Sequence, residues 1–274
     1  MIIDINFWGL AIGMLLMAIP VYFMKKLRTG LVGSTVSATL RMIVQLYLIG
    51  LYLQYLFHYN LWYVNLAWGI IMVLVATGTA LQRTKLKPQV LAMPLTIGFL
   101  LTALFVSIYF LGLVLGLYSM DGMQLTLTSL FTARYFIPIF GLLLGNMLGV
   151  SVVGLSAYYE GIKREQQMYY YLLGNGATRW EATSPFIRQA IIKAFNPCIA
   201  NMAVMGLVAM PGTMIGQILG GSDPAVAIKY QMMIVVITFV SSMLSLIITI
   251  YLAHKKSFDN MGRLKNVFTE QDWN

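Results

Sequence analysis

Residues 231–253 read QMMIVVITFVSSMLSLIITIYLA, a run of 23 positions without one charged side chain. A helix of about 20 apolar residues crosses the hydrocarbon core of a bilayer. Six more such runs precede it, at roughly 5–24, 34–57, 61–82, 89–117, 130–157 and 192–219, and the quoted run extends back to 225. Of all 274 residues, 59% are hydrophobic and 10% charged. Soluble domains carry about 25% charged residues. This composition cannot build a water-facing exterior. The sequence predicts an all-α integral membrane protein of about seven transmembrane helices, multi-pass in the cell membrane.

The 18 Lys and Arg outnumber the 9 Asp and Glu, for a net charge of +9. Nucleic-acid binding would need cationic clusters on a soluble scaffold. Here the cations fall in alternate breaks: Lys25, Lys26 and Arg28; Arg83, Lys85 and Lys87; Lys163 to Lys193; and Lys255 to Lys265. The other breaks, around His58, Asp121 and Asp223, carry no cation. Fifteen of the 18 cations therefore share one side, and Arg41, Arg134 and Lys229 lie in or at the edge of spans. The positive-inside rule then places the N-terminus outside and the C-terminus in the cytoplasm, as an odd span count requires. No basic region precedes the first run, which reads as a retained span and not a cleaved signal. Cys198 is the single cysteine, which excludes an internal disulfide framework. The chain divides into one transmembrane domain over 1–256, with a cytoplasmic segment at about 158–191, and a short cytoplasmic tail, 257–274.

Within the spans, glycine recurs every fourth residue: Gly141, Gly145 and Gly149 in the fifth, and Gly212, Gly216 and Gly220 in the sixth. Small residues at this spacing let helix backbones approach in lipid, within a chain or between subunits. Met210-Pro211-Gly212-Thr213-Met214 interrupts the sixth span, with Gln217 beyond it. Proline removes a backbone hydrogen bond and kinks or breaks a helix. Such breaks in a membrane line cavities or lie buried in protein. Arg41 and Gln45 share a helix face in the second span, and Asn146 is a deep amide in the fifth. Arg41 can also snorkel to the membrane surface. The 19 methionines read as apolar gap-fillers before they read as a soft-metal path. No Asp or Glu falls inside a run. A proton- or cation-coupled carrier would place a carboxylate there, so the pattern argues against a secondary transporter.

Between the fifth and sixth spans, Lys163–Leu173 reads as a helix, Gly174-Asn175-Gly176 breaks it, and Ser184-Pro185 restarts one. The result is a cytoplasmic helix-turn-helix leading into the sixth span. The chain has no G-x-x-x-x-G-K-[S/T] phosphate loop and no paired catalytic carboxylates. It is not an enzyme on this reading, and uphill transport would draw its energy from another chain.

Several of these residues resemble one family. Arg41-x-x-x-Gln45-Leu46, Leu173–Thr178, Asn196-Pro197, GLVAMPGTMIGQ at 206–217 with Leu219-Gly220-Gly221 and Pro224, and Tyr230-Gln231 are similar to the FetB (YbbM-type) permease family. Its members are membrane subunits of iron-export ABC transporters, related to plant proteins tied to aluminium tolerance. The resemblance covers about 35–255. It implies a permease that pairs with a cytoplasmic ABC ATPase, two of each, with ATP and Mg on that partner and no cofactor on this chain. It also implies that 160–182 is the coupling segment, turning at Gly176-Ala177-Thr178. The expected coupling contacts are Glu165, Tyr169, Leu173, Gly174, Gly176, Ala177, Thr178 and Arg179. The expected substrate pathway is Arg41, Gln45, Asn146, Met210, Pro211, Gly212, Met214 and Gln217. Gly141, Gly145, Gly149, Gly216 and Gly220 are expected to pack helices.

The chain departs from the family pattern at Met168-Tyr169-Tyr170-Tyr171, where a Glu–small–small run would stand. No metal ligands are assigned, and iron as substrate rests on the family name. A permease for an organic substrate such as a nucleotide sugar, and a non-transporting scaffold or sensor, are the competing classes.

Overall fold

The structure is a computed structural model describing residues 7–115, 130–259 and 262–269. The expected outer loop with Asp121 and the ends of the chain lie outside the described residues. Among the described residues ten α-helices follow in order: α1 (Phe7–Leu15), α2 (Ala18–Lys26), α3 (Val32–Tyr59), α4 (Trp62–Thr84), α5 (Pro88–Ile108), α6 (Ala133–Arg164), α7 (Gln166–Gly174), α8 (Arg179–Val204), α9 (Gly212–Leu219) and α10 (Pro224–Ser257). Among the described residues six stretches are long and apolar enough to cross a membrane: Trp8–Lys26, Val32–Tyr59, Trp62–Thr84, Pro88–Leu113, Ala133–Arg164 and Pro224–Ser257.

Local breaks have local causes. Within the first stretch, Pro20 has no N–H to give Leu16, and the chain turns at Leu16 and Met17 between α1 and α2. The long fourth run continues past Ile108 as a wide π-helical turn over Tyr109–Leu115. The expected sixth span, 192–219, is not one helix. It divides into α8 and the eight-residue α9, because Met205 is extended, Gly206 turns at φ 87 and Pro211 caps α9 from outside the helix.

The core is built by α4, α5, α6 and α10, with α8 against α6. Phe99, Phe136, Phe140, Leu143 and Met147 are fully shielded, and Leu246 and Ile250 close the layer from α10. By contrast α3 buries only Leu56, and α2 buries nothing. Asn60 and Asn65 tie the end of α3 and the start of α4 to α6. The Asn60 Oδ1 accepts from Ala133 N at 2.9 Å, and the Asn65 amide donates to the Phe131 carbonyl at 2.8 Å. Large side chains such as Leu74, Phe105 and Val236 face outward, as lipid-solvated helices require.

The glycine repeats do not make the close helix approaches within the chain. A Cβ at Gly145, Gly149, Gly212 or Gly216 would meet nothing within 4 Å, and at Gly220 only its own helix's carbonyls. Gly141 alone of that set faces a neighbour, the end of Met72 at 2.9 Å. The tight contacts are elsewhere. A Cβ at Gly154 would press on both Leu246 methyls at 2.7 Å, and one at Gly98 would collide with Thr249 and approach the Ser245 carbonyl at 3.3 Å.

We expect Gly98→Leu to destabilise the α5–α10 contact by about 1–3 kcal/mol, as overpacking does, and Gly145→Ala to leave stability unchanged. Thermal unfolding in detergent checks both, and equal stability for the two variants would contradict the packing described.

Candidate functional site

The break between α8 and α9 borders a groove with several polar side chains in its lining. The groove, of about 250 Å³, lies between α6, α8, α9 and α10. Asn146 and Leu142 line it from α6; Phe195, Cys198, Asn201, Met202 and Met205 from α8; Thr213 from α9; and Gln231, Thr238 and Ser242 from α10. Gln231 is buried and hydrogen-bonds Thr213, which pins the start of α9 against α10. Asn146 donates its side-chain N–H to the Leu142 carbonyl at 2.9 Å, one turn back. Thr238 bonds backward in the same way, to the Ile234 carbonyl at 2.8 Å. At a rise of about 1.5 Å per residue, Gln231 lies roughly 10 Å from the start of α10, within the span.

The lining is neutral. Amides and hydroxyls alternate with sulfur from Cys198, Met202 and Met205, and no charged residue takes part. Among the described residues no group of three or more His, Cys, Asp or Glu could hold a metal ion. Neutral oxygen and thioether donors can take over part of a solute's hydration shell without trapping it, which suits passage better than storage.

The expected pathway residues are only partly gathered. Asn146 lines the groove. Pro211, Gly212 and Met210 form the break beside it, with Met210 largely exposed, while Met214 and Gln217 are half-buried on α9 without lining it. Arg41 and Gln45 are not brought there. Gln45 borders a separate apolar cleft between α3, α4 and α6, with Trp68, Met72 and Leu148, and Arg41 is exposed on α3. Sequence reasoning missed Asn201, Cys198, Thr238 and Ser242, and reached Gln231 only through resemblance. The available signal was a polar stripe at 231, 238 and 242, spaced seven and four along one helix face.

The segment expected to be cytoplasmic is built by α7 and the start of α8. Gly176, at φ 88, ends α7 with its N–H on the Leu173 carbonyl at 3.0 Å, a left-handed turn that glycine adopts without strain. The next helix starts at Arg179 and not at Ser184-Pro185 as expected. Thr178 and Glu181 form a reciprocal capping box, and Pro185 falls inside α8. Hydrogen bonds from Thr178 hold the Glu181 carboxyl below its ordinary range.

Gly174, Gly176, Thr178 and Arg179 are exposed at the turn, and Ala177 is half-buried. Glu165 pairs with Arg164 at 2.9 Å. Tyr169 and Leu173, expected as docking contacts, face the chain itself. Tyr169 is fully buried and donates its hydroxyl to the Gly262 carbonyl at 2.8 Å, while Leu173 packs against Gly262. Burial pushes the Tyr169 phenol up to about 12, against the pull of Arg179, so it stays protonated as a donor. Exposed Tyr171 offers the outward face in their place.

The stretch after 257, expected as a short tail, returns over this end of the bundle in its described part. Phe258 and Val267 are buried, Leu86 pairs with Phe268, and Lys87 N donates to the Val267 carbonyl at 2.7 Å.

Two measurements test this geometry. Cys198 should react with a small water-soluble thiol reagent, and Asn146→Trp, filling the groove, should slow that reaction at least several-fold; an inert Cys198 would mean the groove is closed to water. Tyr169→Phe should weaken the return by about 1 kcal/mol, read as faster tryptic cleavage after Arg263 and Lys265.

Residues 7–258 match the uncharacterised protein family UPF0014. The rice membrane protein STAR2 is 30% identical over 264 residues, covering 93% of this chain and 84% of its own. YjkA of Bacillus subtilis is 28% identical over 95% of this chain and 98% of its own. The probable iron export permease protein FetB of Escherichia coli is 27% identical over 93% of each. No solved structure matches. With a match spanning nearly its whole length and a multi-pass helical fold, the chain belongs to the UPF0014 family of membrane proteins.

Proposed function

We propose that this chain is the permease subunit of an ABC exporter, working as a homodimer with a separate cytoplasmic ATPase. The observation that carries the reading is the neutral polar groove at the α8–α9 break, set in a chain with no phosphate loop of its own. The relative named as a probable iron export permease supports transport, with a metal ion such as iron as the substrate. In this reading α8 and α9 together make a seventh crossing, with the N-terminus outside. The turn at Gly174–Arg179 enters a groove of the ATPase, which supplies ATP and Mg, and ATPase closure moves α8 against α6.

A neutral groove fits a metal that passes and does not reside. Neutral amide, hydroxyl and thioether ligands bind a divalent cation more weakly than carboxylates would, and conduction needs binding weak enough for the ion to leave. The competing substrate class is an organic polar molecule held by the same amides and hydroxyls.

Co-expression with a candidate ABC ATPase from the same genome should yield a complex that survives purification. In vesicles its ATPase activity should rise several-fold with Fe²⁺. Gly176→Val, which forces a β-branched residue to φ 88, should uncouple that stimulation while leaving both subunits folded. No co-purification removes the ABC assignment. A complex stimulated by an organic substrate and indifferent to Fe²⁺ removes the metal.

A further inference from the structure

The polar stripe of α10 does not stop where the groove does. At 3.6 residues per turn, Gln231, Thr238, Ser242, Ser245 and Thr249 fall within an arc of about 60° on one face of the helix, over a rise of about 27 Å. The first three line the groove. Ser245 and Thr249 carry the same stripe under α5, where both are fully buried. The Thr249 hydroxyl lies against Gly98 of α5, and a Cβ at Gly98 would stand 3.3 Å from the Ser245 carbonyl.

Two neighbouring helices add hydroxyls at the same level. Thr102 stands one turn beyond Gly98 on the same face of α5. Because α5 and α10 run in opposite directions, with Met93 meeting Lys256 and Gly98 meeting Thr249, Thr102 is about level with Ser245. Ser151 of α6 comes three residues before Gly154, which meets Leu246, and α6 runs parallel to α10, with Tyr159 meeting Ser257. Ser151 is therefore about level with Ser242. Thr102 and Ser151 are both buried.

The chemistry of this seam does not suit permanent closure. The side-chain oxygens of Thr102, Ser151, Ser245 and Thr249 have no hydrogen-bond partner. Elsewhere on α10 the hydroxyls of Thr238 and Ser257 bond back to carbonyls one turn earlier. A buried hydroxyl left unbonded carries the cost of its lost hydration, and alanine would pack as closely without that cost. Hydroxyls that burden the contact while α5 touches α10 are satisfied once the two helices part and the face meets water. We infer that this seam is the closed half of the path that begins in the groove, an inference that rests on the transport reading. Separation of α5 from α10 extends the groove along the stripe toward the end of α10 that carries Lys255 and Lys256, and Thr102, Ser151, Ser245 and Thr249 then line it. Every added donor is a neutral oxygen, so a solute meets the same kind of ligand along both halves.

The test uses the full chain in nanodiscs, with Cys198→Ala removing its own thiol, and a charged, membrane-impermeant methanethiosulfonate. Ser245→Cys and Thr249→Cys change little in volume. Their thiols should react about tenfold faster or more than that of Ile250→Cys, which is also buried on α10 but lies off the stripe. Equally slow reaction at all three positions overturns the seam and leaves its hydroxyls as close-packing residues. A second measurement ties the seam to transport. A Cβ at Gly98 would stand 3.6 Å from the Thr249 Cβ, within disulfide range, so Gly98→Cys/Thr249→Cys should lock α5 to α10 under mild oxidation. In the complex with the ATPase, the lock should cut solute-stimulated ATPase activity about tenfold or more, and dithiothreitol should restore it. Stimulation that survives a fully formed disulfide overturns the path. If no ATPase binds, the transport reading fails by itself, and the thiol rates still decide whether the seam opens to water.

Discussion

A chain dissolved in hydrocarbon must satisfy its backbone N–H and C=O groups from within, and this requirement organises the molecule. Long helices meet it over most of the length. The departure comes at Met205–Pro211, where the helical ladder stops inside an apolar run. There Gly206 N donates to the Ala209 carbonyl at 2.9 Å and Val208 N to the Val204 carbonyl at 3.0 Å, while Pro211 brings no N–H at all. Asn201, Thr213 and Gln231 line the groove beside the break. Polar side chains gather where the backbone is irregular, because each lowers the cost of burying the other. The groove is therefore a consequence of the break, and the break a consequence of Gly206 and Pro211.

The membrane class was legible from composition, since a bilayer selects for length and apolarity and both can be counted. Six runs became long apolar helices. The run at 192–219 did not, because averaged hydropathy passes over one proline and one left-handed glycine. The groove was half legible. Asn146 stood out as an amide among glycines, but Thr238 and Ser242 did not, since hydroxyls in membrane helices commonly bond back to their own helix, as Thr238 does. Glycine spacing marked faces bare of side chains without saying what covers them. The close approaches fall at Gly98 and Gly154, which belong to no four-residue repeat.

The returning segment shows a different limit. Phe258, Val267 and Phe268 are scattered among charges, with no period of two or 3.6 to announce an element. Their partners are an isolated turn at Leu86 and one buried tyrosine, Tyr169, a long way off in the chain. Only the folded chain brings those pieces together. The same contact changes how the tyrosine run at 169–171 is understood, because one ring is spent on holding the return and a different one faces water.

These pieces meet in α8. It runs unbroken for 26 residues, about 39 Å, from the capped turn at Thr178 to Val204. Its first residues are exposed beside α7, and Ala182, Phe186 and Ala190 are buried along its middle. Its last two turns carry Cys198, Asn201 and Met202 into the groove. The capping box fixes the first turn, so a displacement at Thr178 is not absorbed by fraying. Ala182, Ala190 and Ala194 allow close approach on its buried face, and Phe186 and Phe195 interlock there with Gly161 of α6 and Phe239 of α10. Pro185 and Pro197 are the two points where it can bend, each lacking a hydrogen bond to the preceding turn. One helix thus joins the capped turn at Thr178 to the groove beside the α8–α9 break.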